Sequence, residues 1–431
     1  MIFKKSPLIV LVMILLVLVS TSFSVGAKDK KIKLRISWWG SETRHTATLK
    51  AIELYEQENP NIDLVPEYSG FDGYRNKLMS QVTAGNAPDI FTTVMEWYPD
   101  LLELNGLTDI TGMVDVSGHN SKYVEACSMN GKMYGVNLSV NGMVLNQNKT
   151  LLSKLDIEPL QTPYTWEDMK NKFIEVYKKS DGKIYGAPDW STIKNGMGFD
   201  IFKYFGYAKL NKKGAFPFNN KELTFDEQDL KEFYAYFKEL RDSNAVAPTA
   251  ISSLNDFSAN SLLIRGTVAF EINYTGTFGR YQDQTNDNLN MLPLPLGPNG
   301  ESGDLARPGL IFSVAKNSEH PKEAAKFIEW FTTSPEAAKV LKTSRGVLPT
   351  TSQREALLRN SDSLSENDTK VIEVVNKILE RKLKLAYAGP SGYGDMALNL
   401  FPEYGQRIGY GQMSVAEAAH KLMQEINDMG N

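Results

Sequence analysis

The stretch that decides the fold runs from Gly303 to Pro349 and reads GDLARPGLIFSVAKNSEHPKEAAKFIEWFTTSPEAAKVLKTSRGVLP. It predicts a strand over Leu310–Ala315. Pro321 then suits the first turn of a helix, because its missing N–H has no partner to lose there. One face of this helix is apolar at i, i+3, i+4 and i+7, in Ala324, Phe327, Ile328 and Phe331.

A second helix is predicted directly after the first. Ser334 is a good N-cap, Pro335 fits the first helical position, and Glu336 places an acid near the positive end of the helix dipole. Gly346 can end this segment with a positive φ, and Pro349 prevents its continuation. The stretch therefore predicts one strand and two helices with a tight break between them.

The first hundred residues show the same mixture of strand and helix patterns. Lys33–Ser37 and Ile62–Tyr68 predict strands. Between them lies a helix face formed by Thr48, Ala51, Ile52 and Tyr55. The order strand, helix, strand indicates a βαβ unit, a parallel sheet and an α/β fold class.

Length and composition narrow the class of protein. The chain has 431 residues, enough for two or three domains, and is 42% hydrophobic and 23% charged, as soluble globular proteins are. Its formal charge of −4 argues against non-specific nucleic-acid binding, which requires a basic surface. We therefore expect no nucleic-acid partner.

The N-terminus has the pattern of a secretion signal over residues 1–27. Lys4 and Lys5 precede Leu8–Val19, an apolar run of 12 residues that is short for a membrane span, and Val25-Gly26-Ala27 fits a cleavage site. We expect cleavage after Ala27 and export to the periplasm or the outer cell surface, although an uncleaved anchor is the alternative.

The cysteine and histidine residues predict neither a disulfide nor a metal site. Cys127 is the only cysteine, so no intramolecular disulfide can form, and we expect it to be a small core residue. No metal-ligand spacing occurs among the four histidines, which are His45, His119, His320 and His420. We expect no metal and no cofactor.

Four tryptophans stand at predicted strand ends or in loops, where open α/β sheets place their ligands: Trp38, Trp39, Trp97 and Trp190. Oligosaccharides present C–H-rich ring faces edged by hydroxyl groups, so a site for them needs flat aromatic side chains and planar polar groups. The pattern favours carbohydrate binding. The alternative is that Trp38 and Trp39 both pack beneath the following helix.

Enzymatic motifs are missing from the sequence. It contains no G-x-S-x-G, G-x-x-x-x-G-K-[ST], G-x-G-x-x-G or H-E-x-x-H. We therefore expect a binding protein and not an enzyme. A glycosidase needs only two suitably spaced carboxylates, and the 51 acidic residues leave that alternative open.

Five further motif regions occur in a characteristic order together with the opening stretch. They are Gly85–Ile90 (GNAPDI), Asn130–Val136 (NGKMYGV), Thr162–Asp168 (TPYTWED), Ser261–Glu271 (SLLIRGTVAFE) and Met291–Gly300 (MLPLPLGPNG). In this order they resemble the family 1 extracellular solute-binding proteins, the sugar-capturing subunits of ABC importers, of which the maltodextrin-binding protein is typical.

This resemblance implies a two-lobe periplasmic-binding-protein type II fold with a hinge and an interlobe cleft. Lobe 1 would contain residues 28–138 and 275–332, and lobe 2 residues 139–274 and 333–431. An oligosaccharide would close the lobes, and the closed monomer would deliver it to the permease of an ABC transporter. Many Gram-positive relatives carry a lipid-modified cysteine after the signal. This chain has none there, so we expect no lipoprotein.

The resemblance and the residue types together suggest thirteen ligand-binding candidates: Trp38, Trp39, Arg44, His45, Glu96, Trp97, Asn141, Trp190, Glu271, Tyr274, Arg307, Arg345 and Tyr393. No residue is assigned a catalytic role. The string at Trp38–His45 resembles a branch of the family that handles plant-polysaccharide fragments, some of them acidic. The three arginines could pair with a uronate carboxylate, with neutral hydroxyls or in ordinary surface ion pairs. The alternative functions are a secreted carbohydrate-active enzyme and a binding protein for a non-sugar solute.

Overall fold

The computed structural model describes residues 31–71, 73–194, 196–219, 222–256, 261–360, 364–386 and 396–429. The strands in this part of the chain are β1 Ile32–Trp39, β2 Ile62–Ser69, β3 Ile90–Thr93, β4 Ser128–Met129, β5 Lys132–Met133, β6 Val136–Asn137, β7 Met143–Asn148, β8 Phe218–Asn219, β9 Glu222–Leu223, β10 Phe270–Tyr274, β11 Leu289–Pro293, β12 Leu305–Ala306, β13 Ile311–Val314 and β14 Lys384–Leu385.

The α-helices of the same residues are α1 Glu42–Glu58, α2 Tyr74–Thr83, α3 Tyr98–Glu103, α4 Ser121–Ala126, α5 Lys149–Lys154, α6 Trp166–Lys179, α7 Met197–Ala208, α8 Glu227–Asp242, α9 Thr249–Ser252, α10 Phe278–Asp283, α11 Pro321–Thr333, α12 Pro335–Leu341, α13 Thr351–Arg359, α14 Glu366–Leu379, α15 Phe401–Gly409 and α16 Val415–Met429. Short 3₁₀ or π turns lie at Met95–Trp97, Trp190–Thr192, Thr275–Thr277 and Met396–Leu400.

A five-stranded sheet forms the centre of the first lobe, in the order β2-β1-β3-β13-β6. Strand β1 pairs in parallel with both β2 and β3, and α1 connects β1 to β2, so the predicted βαβ unit is confirmed. Strand β13, from the opening stretch, runs antiparallel between β3 and β6. The carboxyl ends of β1, β2 and β3 therefore share one edge of this sheet.

A three-stranded antiparallel sheet, in the order β10-β7-β11, forms the centre of the second lobe. Parallel bridges from Tyr185 to Val268 and from Ala187 to Val246 extend it beyond β10. The core behind it is aromatic: the rings of Phe202, Phe233 and Phe401 have centroids 5.3 to 5.4 Å apart.

The strand and both helices of the opening stretch form as the sequence predicts, but the second helix ends at Leu341, where Lys342 has a positive φ, and not at Gly346. The strand is followed by α11, whose apolar face is buried, and the Ser334 side chain accepts the N–H groups of Glu336 and Ala337 at the start of α12. Cys127 is also buried in the first lobe, as expected.

Two segments lie against a different sheet from the one that the sequence predicted. Strand β11, expected in lobe 1, pairs with β7 in the second sheet, because α10 turns the chain back after β10. Helices α12 and α13, expected in lobe 2, pack with α1 and α11 and share the first hydrophobic core. The break at Ser334 is a capped turn between two neighbouring helices and not a passage to the other lobe.

The connections between the two sheets meet at one place. The chain leaves β6 and enters β7 through residues 138–142, where Leu138 N–H donates to Leu310 O at 2.8 Å and Val140 N–H to Val347 O at 2.7 Å. Thr275 N–H donates to Gly142 O at 2.9 Å. Segments widely separated in sequence are thus hydrogen-bonded side by side between the lobes.

The described residues that follow residue 395 are helical, with a π turn at Met396–Leu400 followed by α15. Among the described helices, none is both long and apolar enough to cross a lipid bilayer.

Candidate functional site

An aromatic array lies at the carboxyl edge of the first sheet. Trp39 ends β1, and its ring packs against Trp97 at 5.3 Å, Tyr74 at 4.9 Å and Phe71 at 5.7 Å between centroids. Trp97 comes from the 3₁₀ turn that follows β3, so neighbouring strand ends supply these rings. Phe71 is 61% exposed, whereas Trp39 and Trp97 are less than 10% exposed. The array thus presents one open ring supported by buried indoles.

The other face of the same strand end carries a second aromatic group. Side chains alternate along a strand, so Trp38 points away from Trp39. Trp38 stacks on Tyr68 at 5.0 Å, and its Nε1–H donates to His45 Nδ1 at 3.0 Å. Burial lowers the pKa of His45, which favours the neutral ring that accepts this bond. Tyr68 is half exposed, while Trp38 is fully buried.

A charged group connects the two lobes. Arg307, just after β12, lies 2.9 Å from Glu96 in the turn after β3 and 3.7 Å from Asp200 in α7. The Tyr274 hydroxyl, at the end of β10, also donates to Asp200. Burial lowers the pKa of Arg307, but the Asp200 and Glu96 carboxylates outweigh it and raise that pKa above its ordinary value. The sequence-predicted candidates Glu96, Tyr274 and Arg307 are therefore brought together.

A third group lies where the chain connections meet. Asn141 is surrounded by three glycines, since a Cβ on Gly276, Gly309 or Gly346 would come within 3.1 Å of its side-chain amide. The Oδ1 atom of Asn141 is buried and has no hydrogen-bond partner within the described part of the chain. Gly346 has φ +104°, a conformation that favours glycine. These segments can therefore approach Asn141 closely because each has a glycine, which carries no side chain, at the point of contact.

Arg44 and Arg345 lie beside these connections. Arg44 Nη1 donates to Trp39 O at 3.1 Å and Nε to Ser344 O at 3.3 Å. Arg345 is 4% exposed and donates to the Thr48 hydroxyl. Burial, and then the neighbouring Arg44, lower the pKa of Arg345. Two candidate arginines are thus held between the first strand end and the connecting segments.

Trp190 is not part of these groups. It is 1% exposed in the second core, where it packs against Phe173 and Phe237 at ring distances of 6.2 and 6.3 Å. It follows Asp189, whose buried carboxylate pairs with Arg241. The prediction of a Trp190 ring exposed in a cleft is wrong, because this loop folds back under α8.

Glu271 is also placed differently from its predicted role. It is fully buried in β10, where it accepts from Asn255 Nδ2 at 2.9 Å and Ser261 Oγ at 2.6 Å. Burial raises the pKa of this carboxyl, despite the hydrogen bonds that oppose the shift. These contacts are internal, so the structure assigns Glu271 to holding Asn255, Ser261 and Leu263 and not to a ligand.

Two of the predicted features fall on residues outside the described ranges, and three residues near the site were not predicted from the sequence. Tyr393 and the signal segment lie outside the described residues. Within the described residues, no group of three or more His, Cys, Asp or Glu could hold a metal ion. Tyr68, Phe71 and Asp200 were not predicted as site residues from the sequence. The parallel pairing of Trp38 with Tyr68 in register explains the first, since both end neighbouring strands.

The sequence of this chain is similar to those of known proteins over most of its length. A family model of the bacterial extracellular solute-binding proteins matches residues 50–369. The maltotriose-binding protein of Pyrococcus abyssi is 26% identical over 313 residues, which make up 70% of this chain and 62% of that protein. The chain thus spans 62% of the length of this relative.

Solved structures share the architecture over almost the whole chain. A family 1 extracellular solute-binding protein from Alicyclobacillus acidocaldarius has a TM-score of 0.78 at 22% identity, covering 93% of this chain and 98% of that one. A periplasmic oligogalacturonide-binding protein from Yersinia enterocolitica, in complex with saturated digalacturonic acid, has a TM-score of 0.70 at 25% identity, covering 93% and 99%. These similarities support the two-lobe fold.

Proposed function

The chain belongs to the family of bacterial extracellular solute-binding proteins, and from this premise we propose that it captures an oligosaccharide for an ABC importer. It would bind the sugar outside the cytoplasm and deliver it to a membrane permease. Signal cleavage after Ala27 and a monomeric state belong to the same proposal. Binding of maltotriose and of oligogalacturonide by similar proteins is consistent with this ligand class.

The observation that carries the proposal is the aromatic array at the carboxyl edge of the first sheet. Trp39, which packs against Trp97, supports the exposed Phe71 ring, and Tyr68 lies on the neighbouring strand end. Aromatic faces pack against the C–H faces of sugar rings, and open α/β sheets bind ligands at this edge.

The polar groups beside the array suit the hydroxyls at the edge of a sugar ring. Asn141 has an unpartnered acceptor, and the Glu96–Arg307 pair is partly exposed. We propose that these residues orient the ligand. Trp38 and His45 would support the Tyr68 ring, which both of them contact. Tyr274 would act through Asp200, which accepts its hydroxyl hydrogen.

Capture would proceed by closure of the lobes around the ligand. A sugar that contacts both lobes binds the closed state better than the open one, and so shifts the population toward closure. Arg307 already contacts Glu96 of the first lobe and Asp200 of the second, which favours the same closed arrangement. A permease could then distinguish closed from open protein by the relative position of the two lobe surfaces.

An enzymatic function is the second candidate, and the solute-binding family argues against it. The carboxylates of the charged group, Glu96 and Asp200, are both engaged by Arg307. A general acid of a glycosidase would instead need a raised pKa, yet Lys203 and Arg307 overcome the effect of burial and lower the pKa of Asp200. We therefore propose binding without turnover.

The test is calorimetric titration with neutral and acidic oligosaccharides, including maltotriose and trigalacturonate. We expect at least one to bind, with compaction in small-angle X-ray scattering on saturation. Binding of a peptide, a polyamine or a metal ion in place of every sugar would contradict the proposal. Hydrolysis of a bound sugar by the purified protein would favour the enzyme instead.

A further inference from the structure

Arg345 is a buried cation that has no counter-ion among the described residues. Its residue is 4% exposed, and its Nε and Nη1 atoms have no hydrogen-bond partner. Its contacts are the Thr48 hydroxyl and the ring faces of Phe312 and Phe331, at 5.9 and 5.4 Å from the guanidinium carbon. Aromatic faces and one hydroxyl compensate a cation only in part. In the described part of the chain, no carboxylate lies within ion-pair distance of Arg345.

Arg44 places a second guanidinium beside the first. It donates to the carbonyl oxygens of Trp39 and Ser344, and no described carboxylate pairs with it either. Burial lowers the pKa of Arg44, as it does for Arg345. Two neighbouring cations therefore share a partly dry environment in which their repulsion is poorly screened.

Other buried or half-buried arginines of this protein are compensated. Arg241 pairs with Asp189, Arg381 with Asp304 at 3.1 Å, and Arg307 with two carboxylates. Arg354 lacks a carboxylate, but its guanidinium donates to Asn376, Thr351 and the carbonyls of Leu348 and Pro349 at 2.8 to 3.1 Å. Arg345 differs from all of these because two of its nitrogens are buried without any acceptor.

More unpartnered polar atoms cluster on the same two segments. The Ser139 hydroxyl and Asn141 Oδ1 lie on the connection between β6 and β7, and the Ser344 hydroxyl adjoins Arg345. The two segments are held together by the hydrogen bond from Val140 N–H to Val347 O. Buried polar groups normally find partners, so a cluster of orphans indicates an absent one. The absent partner must offer acceptors to a guanidinium and a donor to the amide oxygen of Asn141, and it must accept from or donate to hydroxyls.

We infer that Arg345 and Arg44 form a subsite for the carboxylate of an acidic oligosaccharide, which deepens the proposed function and rests on it. A carboxylate supplies two oxygens in the plane that a guanidinium matches, and its negative charge offsets the cost of burying the cation. A neutral hydroxyl supplies no such charge. Because Arg44 donates to the carbonyl of Trp39, the subsite is joined to the aromatic array that would hold the sugar rings.

Arg307 is not part of this subsite, because its charge is already compensated. That arginine already has Glu96 and Asp200, so a ligand carboxylate would have to displace an existing pair. Of the three arginines that the sequence offered for a uronate, the structure favours two and assigns the third to the contact between the lobes.

The test compares trigalacturonate with its fully methyl-esterified form by calorimetry on the secreted chain. The ester keeps the shape of the sugar and removes its charge. We expect the acid to bind at least about tenfold more tightly, which corresponds to about 1.4 kcal/mol. Arg345→Gln and Arg44→Gln should each remove most of that difference. The matched control Arg359→Gln, on an exposed residue paired with Glu355, should keep it.

A stability measurement separates a binding role from a structural one. Arg345→Gln should melt at the same temperature as the wild type or higher, since it removes an uncompensated cation. Arg354→Gln should melt lower, because it leaves several acceptors unpaired. If Arg345→Gln lowered the melting temperature as Arg354→Gln does, Arg345 would have a structural role and the inference would be overturned.

The remaining outcomes distinguish the inference from the proposed function. Binding of neutral sugars with no preference for the acid would overturn the carboxylate subsite and leave sugar capture intact. Preferential binding of sn-glycerol 3-phosphate would overturn the carboxylate in favour of a phosphate. Binding of no oligosaccharide at all would remove the proposed function and the inference with it.

Discussion

The direction in which a side chain points from its strand matters here as much as the chemical type of the residue. Trp38 and Trp39 are adjacent, yet the alternation of a strand sends one toward Tyr68 and His45 and the other toward Trp97. Both are buried, so neither is an exposed platform by itself. Their role is to hold the more exposed Tyr68 and Phe71 rings at the sheet edge.

The first prediction concerns this array. Trp39→Ala and Trp97→Ala should each weaken oligosaccharide binding by at least about 1 kcal/mol, because the array loses a ring and the support of Phe71. Calorimetry on folded protein, verified by circular dichroism, measures the effect. Trp330→Ala is the matched control, since Trp330 packs on Tyr55 and donates to Glu58 elsewhere in the first lobe. Wild-type affinity in both array variants would exclude the array from the site.

Trp190 calls for a separate prediction. It is buried between Phe173 and Phe237, so Trp190→Ala should leave a cavity and lower the free energy of unfolding by about 3–5 kcal/mol. Denaturant unfolding measures this loss, and the affinity of the remaining folded protein should be unchanged. Unaltered stability together with weakened binding would return Trp190 to the ligand site.

At the scale of the element, capping decides where the helices of the opening stretch begin. The Ser334 hydroxyl accepts the N–H groups of Glu336 and Ala337 at 3.1 and 3.3 Å, so α12 starts immediately after α11 ends. This sharp restart lets α12 return along α1 and join the first core. The same local signal would fit a passage to the other lobe, which is why the sequence alone misplaced the segment.

The element-scale prediction is that Ser334→Ala lowers the free energy of unfolding by about 1 kcal/mol, because two helical N–H groups lose their acceptor. Chemical denaturation followed by circular dichroism gives the value. Ser352→Ala serves as control, since that hydroxyl lies 3.4 Å from Thr350 Oγ1 and should contribute less than about 0.5 kcal/mol. Equal effects in the two variants would argue against the cap.

At the scale of the whole molecule, Arg307 is a contact between the lobes. It joins Glu96, at the edge of the first sheet, to Asp200 in a helix of the second core, and Tyr274 donates to the same Asp200. Its side chain is 43% exposed, so each ion pair is screened by solvent and modest in energy. A modest bias is nevertheless sufficient to change the populations of two states of similar energy.

Arg307→Gln should therefore open the unliganded protein and weaken ligand binding by about two- to fivefold, equivalent to less than about 1 kcal/mol. Small-angle scattering should show a larger radius of gyration without ligand and the wild-type value at saturation. Arg407→Gln, which breaks a pair with Glu403 inside α15, provides the control. A variant as compact as the wild type without ligand would contradict a role in closure.

The local sequence alone determined much of this molecule. Alternation and helical spacing predicted the βαβ unit and the strand and two helices of the opening stretch, because these depend on neighbours within a few residues. The residue type alone predicted the burial of Cys127. The resemblance in motif order added the two-lobe architecture.

Only the tertiary structure decided which surfaces meet. It placed β11 in the second sheet, buried Trp190 and Glu271, and brought Glu96, Asp200 and Arg307 together from distant parts of the chain. It also left Arg345 without a carboxylate partner among the residues that the structure describes. Such features depend on long-range packing, where the whole set of neighbours sets the burial and pairing of each side chain, and no local pattern carries that information.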